Sequence, residues 1–341
     1  MNKKLSSWMQ TFFFLGLAIF LVWWSIGKIS ASEWQQMKIA LLRTNYWLLI
    51  PVAMALLISH YSRAMRWKIL MEPMGYSPGN TNTYLAVLIG YFANLLVPRL
   101  GEVLKCTLLA RYEKIPADKL IGTIVAERAF DLICLVLVFA ITIFSQIDII
   151  GAFTLELFKK MINGSGDGPD YRRLALLGVG LLLLVLAIRW LFKKFAGHGF
   201  MLKLRKVISG IWQGLTSVRY VKKKGWFFFH SIMIWFLYLA SIRLGFYAMQ
   251  DTQHFGWLPS FSVLSLGSIG MIVTQGGIGA YPILVQETLA LYGLDANVGR
   301  AFGWLLWLAQ SVLIVVAGGI AFLAMPLLNQ SKKTANQPQQ S

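Results

Sequence analysis

The sequence predicts an all-α polytopic membrane protein, with about six full spans and two oppositely oriented re-entrant helical hairpins in an inverted repeat. Three observations predict it. Hydrophobic residues make up 57% of the 341-residue chain and charged residues 13%, more apolar surface than a soluble protein of this size can bury. Several apolar runs approach the ~20 residues needed to cross a hydrocarbon core. Two further apolar regions are interrupted by proline and glycine, at matching places in the two halves of the chain.

The elements follow in chain order. MNKK precedes an apolar run from Trp8 that is long for a signal-peptide core and lacks a small-x-small site, so 8–27 reads as an uncleaved first span. The second span, 45–62, ends in HYSRAMRWK. Its Arg63, Arg66 and Lys68 are expected to snorkel to headgroups at the cytoplasmic face, with a lipid-headgroup site as the alternative. Region 83–112 is interrupted, 120–145 and 172–194 are spans, and 200–221 reads as an amphipathic helix on the inner leaflet. Then come span 225–248, the interrupted region 257–294, span 298–326 and a polar tail from 329 to 341 expected to be disordered. Residues 1–170 and 171–328 form the two inverted halves.

Charge fixes direction. Ten basic residues and no acidic one lie between Arg189 and Lys224, so that loop is expected inside. The acidic loop 146–170 and the segment 249–258 fit the outside, and both termini are expected in the cytoplasm of a cell with this protein in its inner membrane. A single crossing at 83–112 would invert every later loop and turn the basic one outward. Moreover, Tyr84–Val97 is only fourteen residues, roughly 21 Å of helix against a ~30 Å core. A helix in, a break at Pro98–Gly101 and a helix back out satisfies both constraints. The break Gln275, Gly276, Gly277, Gly279, Tyr281 and Pro282 is expected to do the same from outside.

Irregular backbone at membrane depth must be buried in protein or line a wet cavity, so the two breaks are expected to face each other or a polar space. Helix 120–145 then carries Glu127, Arg128 and Asp131 near mid-membrane, about 12 and 18 Å along the axis for the two carboxylates. Glu127 and Asp131 are i,i+4 and share a face with Thr123. Each unpaired charge there costs roughly 2.5–3.5 kcal/mol. Arg99, Glu102, Glu127, Arg128 and Asp131 are expected to form one network, either pinning the hairpin or lining a substrate path. Glu287, in the second hairpin, is a further candidate.

The excess of 32 basic over 14 acidic residues is explained by cytoplasmic loops and anionic inner-leaflet headgroups, with no nucleic acid needed. Cys106 and Cys134 have no disulfide or metal spacing and read as packing residues. No P-loop, HExxH or GxSxG motif occurs, so no catalytic residue, metal or cofactor is expected.

GYFANLLVPRLGEVLKCTLLARYEKIPADKLIGTIVAERAFDL, residues 90–132, resembles the first signature of the lysylphosphatidylglycerol synthase transmembrane family. The matching positions are Asn94, Pro98, Gly101-Glu102, Lys105 and Glu127-Arg128-x-x-Asp131. TQGGIGAYPILVQETLALYGL is similar to the second signature, but Gln275 and Tyr281-Pro282 depart from its usual proline and acidic positions. The resemblance spans about 8–326 and implies a flippase-like membrane part without the soluble transferase domain of larger relatives. It implies translocation of a polar-headgroup lipid, such as an aminoacylated phospholipid or a glycolipid. The alternatives are a membrane-embedded lipid-modifying transferase and an accessory subunit of a separate lipid-modifying enzyme.

Overall fold

The computed structural model describes residues 31–97, 99–146 and 221–335, and all regular structure among them is helical. The expected spans 8–27 and 172–194, the loops between 147 and 220 with most of the 200–221 helix, Pro98 and the last tail residues lie outside the described residues. Nine α-helices are described: α1 Ala31–Leu42, α2 Leu49–Met71, α3 Asn80–Leu96, α4 Leu100–Glu113, α5 Ala117–Ser145, α6 Lys224–Ala248, α7 Trp257–Val273, α8 Ala280–Ala290 and α9 Ala296–Ala335.

Among the described residues, three stretches are long and apolar enough to cross a membrane, Tyr46–Met74, Lys224–Ala248 and Ala296–Gln330. Helix α5 has 29 residues but carries Glu127, Arg128 and Asp131 in its length. Both interrupted regions are helix pairs. α3 and α4 have 17 and 14 residues, α7 and α8 have 17 and 11; at 1.5 Å per residue each is about 26 Å or shorter. Two boundaries differ from expectation. The second span continues to Met71, taking HYSRAMRWK into the helix. The last helix also runs past 329, where Asn329 holds it in place by hydrogen bonds to Asn82 and to the Met325 carbonyl. α1, packed on α9, has too weak an apolar pattern to stand out in the sequence.

The helix pairing repeats when the two halves are exchanged. α3 packs on α2 and α4, α4 on α5, and α5 on α7. In the second half α7 packs on α6 and α8, α8 on α9, and α9 on α3, while α2 lies along α6. The cores cross over in the same way. Trp67, Ile89, Leu109 and Leu120 of the first half gather Ala321 and Met325 of α9, and Phe246, Val285 and Phe302 of the second gather Val138 of α5. Large apolar side chains such as Ile58, Val136, Phe144, Val312 and Phe322 point outward, as a lipid-facing surface requires.

Each break is built differently. At 97–99 the chain turns through extended Val97 and left-handed Arg99, and the Asn94 side chain accepts a hydrogen bond from the Gly101 N–H at 2.7 Å, satisfying one of the unpaired amides that open α4. At 276–279 three glycines take positive φ, a conformation β-carbon sterics make costly for other residues. Leu95 at the first break packs on Gly276 at the second, 3.3 Å from where a Cβ would stand. The two breaks therefore meet inside the protein.

Helices α3 and α4 can close up only because Gly90 faces Gly101: a Cβ on Gly101 would lie 1.8 Å from the Gly90 carbonyl oxygen. Gly101→Ala is expected to destabilise by at least about 1–3 kcal/mol through forced separation of the pair. Gly122→Ala, on a surface of α5 with nothing within 4 Å, is expected to be neutral or to stabilise by up to about 1 kcal/mol. Thermal unfolding of the purified protein in detergent checks both.

Candidate functional site

Helix α2 carries Arg63 and Arg66 three residues apart, and α5 carries Glu127 and Asp131 four apart, so each pair projects from one helix face. The two helices pack together and the pairs interlock. Arg63 Nη1 donates to Glu127 Oε1 at 3.0 Å and also to Asp131. Arg66 Nη2 donates to the other Asp131 oxygen. Helix α4 adds Lys105, whose Nζ meets Glu127 Oε2 at 2.8 Å. Arg128 completes the cluster at its outer edge, 3.6 Å from Glu127 and 3.4 Å from Glu102.

Burial makes this arrangement costly unless every charge is answered. Glu127 and Arg66 are fully buried, and Arg63 and Lys105 are 5% and 4% exposed. Aromatic rings wall the cations: Lys105 lies 4.5 Å from the Trp67 ring, Arg66 about 6 Å from Phe130 and Phe227, and Arg63 5.9 Å from Tyr91, within cation–π range. Trp67 is itself held by a hydrogen bond from Nε1 to Thr123 at 2.8 Å. Tyr238 and Ser231 of α6 accept from Arg63 and Arg66, each at 3.4 Å. Four cations stand against three carboxylates in the cluster, and the Nε atoms of Arg63 and Arg66 have no partner among the described residues. The excess is positive.

The cluster forms one wall of a cavity of about 420 Å³. Arg63, Tyr91, Arg128, Asp131 and Tyr238 make its polar end, and Leu56, Leu135, Trp235, Val263, Met271 and Leu306 are among its apolar walls. Ser241, Ser268, Tyr281 and Gln310 add polar groups to a lining that is otherwise apolar.

The sequence-predicted residues divide. Glu102, Lys105, Glu127, Arg128 and Asp131 lie in one network. Arg99 does not join it; it is exposed at the start of α4, where its left-handed φ of 66° turns the chain. Its place is taken by Arg63 and Arg66, which do not snorkel, because α2 continues past them and packs against α5 and α6. Asn94 and Gly101 close the first break. Gly276 accepts from Trp307 Nε1 at 2.7 Å, Gly277 packs on Met271, and Gly279 opens α8. Tyr281 is buried against Gly267 and Gly270 and lines the cavity, while Pro282 packs on Gly303 of α9. The Gln275 side chain lies outside the described residues. Glu287 is exposed on α8, accepts from its neighbour Gln286 at 3.1 Å, and stands outside the cluster. Among the described residues no group of His, Cys, Asp and Glu is arranged to hold a metal. Tyr91, Tyr238 and Ser231 carry no sequence signal. Arg63 did carry one: it lies eight residues from the end of α2 and Glu127 ten from the start of α5, about 12 and 15 Å deep from the same side.

Comparison with known proteins places the chain. The family model for the lysylphosphatidylglycerol synthase TM region matches residues 12–319. UPF0104 membrane protein MJ1595 of Methanocaldococcus jannaschii is 24% identical over 294 residues, covering 79% of this chain and 82% of that protein. No solved structure matches.

Because Glu127 stands within 4.0 Å of four cations, Arg63, Arg66, Lys105 and Arg128, Glu127→Gln is expected to cost about 3–5 kcal/mol, the toll of stranding buried charge. Arg99→Gln is expected to stay within about 0.5 kcal/mol of the unmodified protein. Unfolding midpoints in detergent distinguish the two.

Proposed function

The chain belongs to the lysylphosphatidylglycerol synthase transmembrane region family, and from that premise we propose that this membrane protein is a lipid translocator, moving a polar-headgroup lipid between leaflets. The observation that carries the proposal is the cavity of about 420 Å³ with a net-positive charge cluster in its wall and a mostly apolar lining otherwise, to which Ser241, Ser268, Tyr281 and Gln310 add polar groups. A lipid headgroup that crosses the membrane has to be desolvated, and each charge moved through hydrocarbon alone costs several kcal/mol. Arg63 and Arg128 offer hydrogen-bond donors to a headgroup at the polar end. The apolar walls accept a chain, or let chains remain in the surrounding lipid.

The re-entrant arrangement supports the same proposal. α3–α4 and α7–α8 enter as short helix pairs, from the cytoplasm and from outside respectively, within inverted halves 1–170 and 171–328. What favours this is the helix pairing that repeats on exchange of halves, the sub-span length of these helices, and the contact of Leu95 with Gly276. The breaks would then be where access alternates. The protein would sit in the cell membrane with both termini inside, in contact with anionic inner-leaflet headgroups, and it would draw its lipid from a separate modifying enzyme.

Glu127 is too structural for a functional test, so the informative variant is Arg128→Gln. Arg128 is 45% exposed and lines the cavity, so the fold survives its loss more readily. In proteoliposomes with fluorescent headgroup-bearing lipid, the unmodified protein is expected to equilibrate the leaflets. Arg128→Gln is expected to slow this about tenfold or more, the usual weight of a charged hydrogen bond. Unchanged exchange in that variant counts against the proposal. Chemical conversion of labelled lipid by the purified protein would point instead to a transferase, and activity seen only beside a separate lipid-modifying enzyme would point to an accessory subunit.

A further inference from the structure

A second, much smaller pocket of about 10 Å³ lies on the hairpin side of the charge cluster, lined by Arg63, Tyr91, Asn94, Glu102, Lys105 and Arg128 among others. Arg63, Tyr91 and Arg128 line the large cavity as well. These three side chains therefore partition one space from the other. The small pocket has room for about one water, too little for any headgroup. Four of its lining side chains are nonetheless those an anion site uses: three cations and an amide. Arg63, 5% exposed, keeps an unpartnered Nε.

Glu102 is the odd member. It is the only carboxylate lining the small pocket, its one ion pair among the described residues is with Arg128 at 3.4 Å, and that pair is the most exposed of the cluster, its two side chains 33% and 45% exposed. The inner carboxylates are far more buried, at 0% for Glu127 and 14% for Asp131, and each binds two or more cations. Glu127 and Asp131 hold the fold; Glu102 can leave without stranding a buried charge. It sits in the first turn of α4, one residue after the glycine at which that helix packs on α3.

We infer that Glu102 is a built-in stand-in for the substrate's anion: it caps Arg128, and the negatively charged head of an amphiphile, a phosphate or a carboxylate, displaces it and opens the partition between the small pocket and the larger cavity. The inference rests on the translocator proposal for its purpose. The site it describes is a binding site, however, and can be tested without transport. With Glu102 displaced, the excess positive charge of the cluster rises from one to two, which selects lipids by net headgroup charge. Glu102 is thus a specificity-determining residue: it sets how strongly an anionic head must bind to enter.

The experiment measures binding of two fluorescent probes, NBD-phosphatidylglycerol (anionic) and NBD-phosphatidylcholine (zwitterionic), to the full chain in uncharged detergent. Glu102→Gln is expected to tighten the anionic probe about two- to fivefold, the weight of a partly exposed ion pair, and to leave the zwitterionic one unchanged. Glu102→Asp, one methylene shorter, is expected to fall between, and it serves if the glutamine variant does not fold. Arg128→Gln is expected to remove the preference for the anionic probe. Equal effects on both probes, or weaker anionic binding in both Glu102 variants, overturns the inference. Lipid movement in vesicles by the unmodified protein, with no charge-selective response to Glu102 replacement, sinks the inference and keeps the translocator. Charge-selective tightening without movement does the reverse.

Discussion

Everything in the described structure hangs on Glu127, a carboxylate with no exposure whose two oxygens are taken by cations from two other helices. Arg63 reaches it from α2 and Lys105 from α4. These two bonds tie together a long helix, the second arm of a broken helix pair and α5 itself. They are also self-enforcing. Separating any of the three helices would leave a bare charge in a medium without water, so the assembly is held by the cost of taking it apart more than by the strength of any one bond. Asp131, one turn along, repeats the arrangement with Arg63 and Arg66.

A fold could hold these helices together more cheaply with apolar side chains. Keeping a cluster with more cations than carboxylates beside a cavity therefore has a chemical consequence: it leaves the polar end of an otherwise greasy space short of negative charge. The apolar walls come from α2 and α5 to α9, while the cations Arg63 and Arg128 come from α2 and α5. Neither half of the chain builds the space alone. The charges sit in the first half and much of the hydrocarbon-lined wall in the second.

The two breaks show how different chemistry reaches a similar end. The first is a tight turn through left-handed Arg99, closed by Asn94. The second is a run of positive-φ glycines closed by the indole of Trp307. In both, polar backbone that lipid could not satisfy is answered by a neighbouring helix. Small residues bring those helices close: Gly90 against Gly101 in one pair, Gly267 and Gly270 against Tyr281 in the other. The turns then rest on each other through Leu95 and Gly276.

Composition and periodicity were enough to read a helical membrane protein, two interrupted helix pairs and the i,i+4 carboxylates of α5, because these depend on spacing along one chain and on the length a bilayer demands. Membership of the family was legible for the same reason, since its signature residues lie within single segments. What the linear chain could not decide was partnership across helices. Arg63 and Arg66 looked like residues at a membrane surface, and Arg99 like a member of the charge network. Only the packing of α2 against α5 and α6 buried the first two, and only the left-handed turn at the first break carried the third away. Tyr91 and Tyr238 had no pattern to betray them. Ion pairs and cavities are made by residues far apart in the chain meeting at one depth, as Arg63 meets Glu127 and Tyr238 at separations of 64 and 175. That coincidence belongs to the tertiary structure, because no local rule of the backbone encodes it.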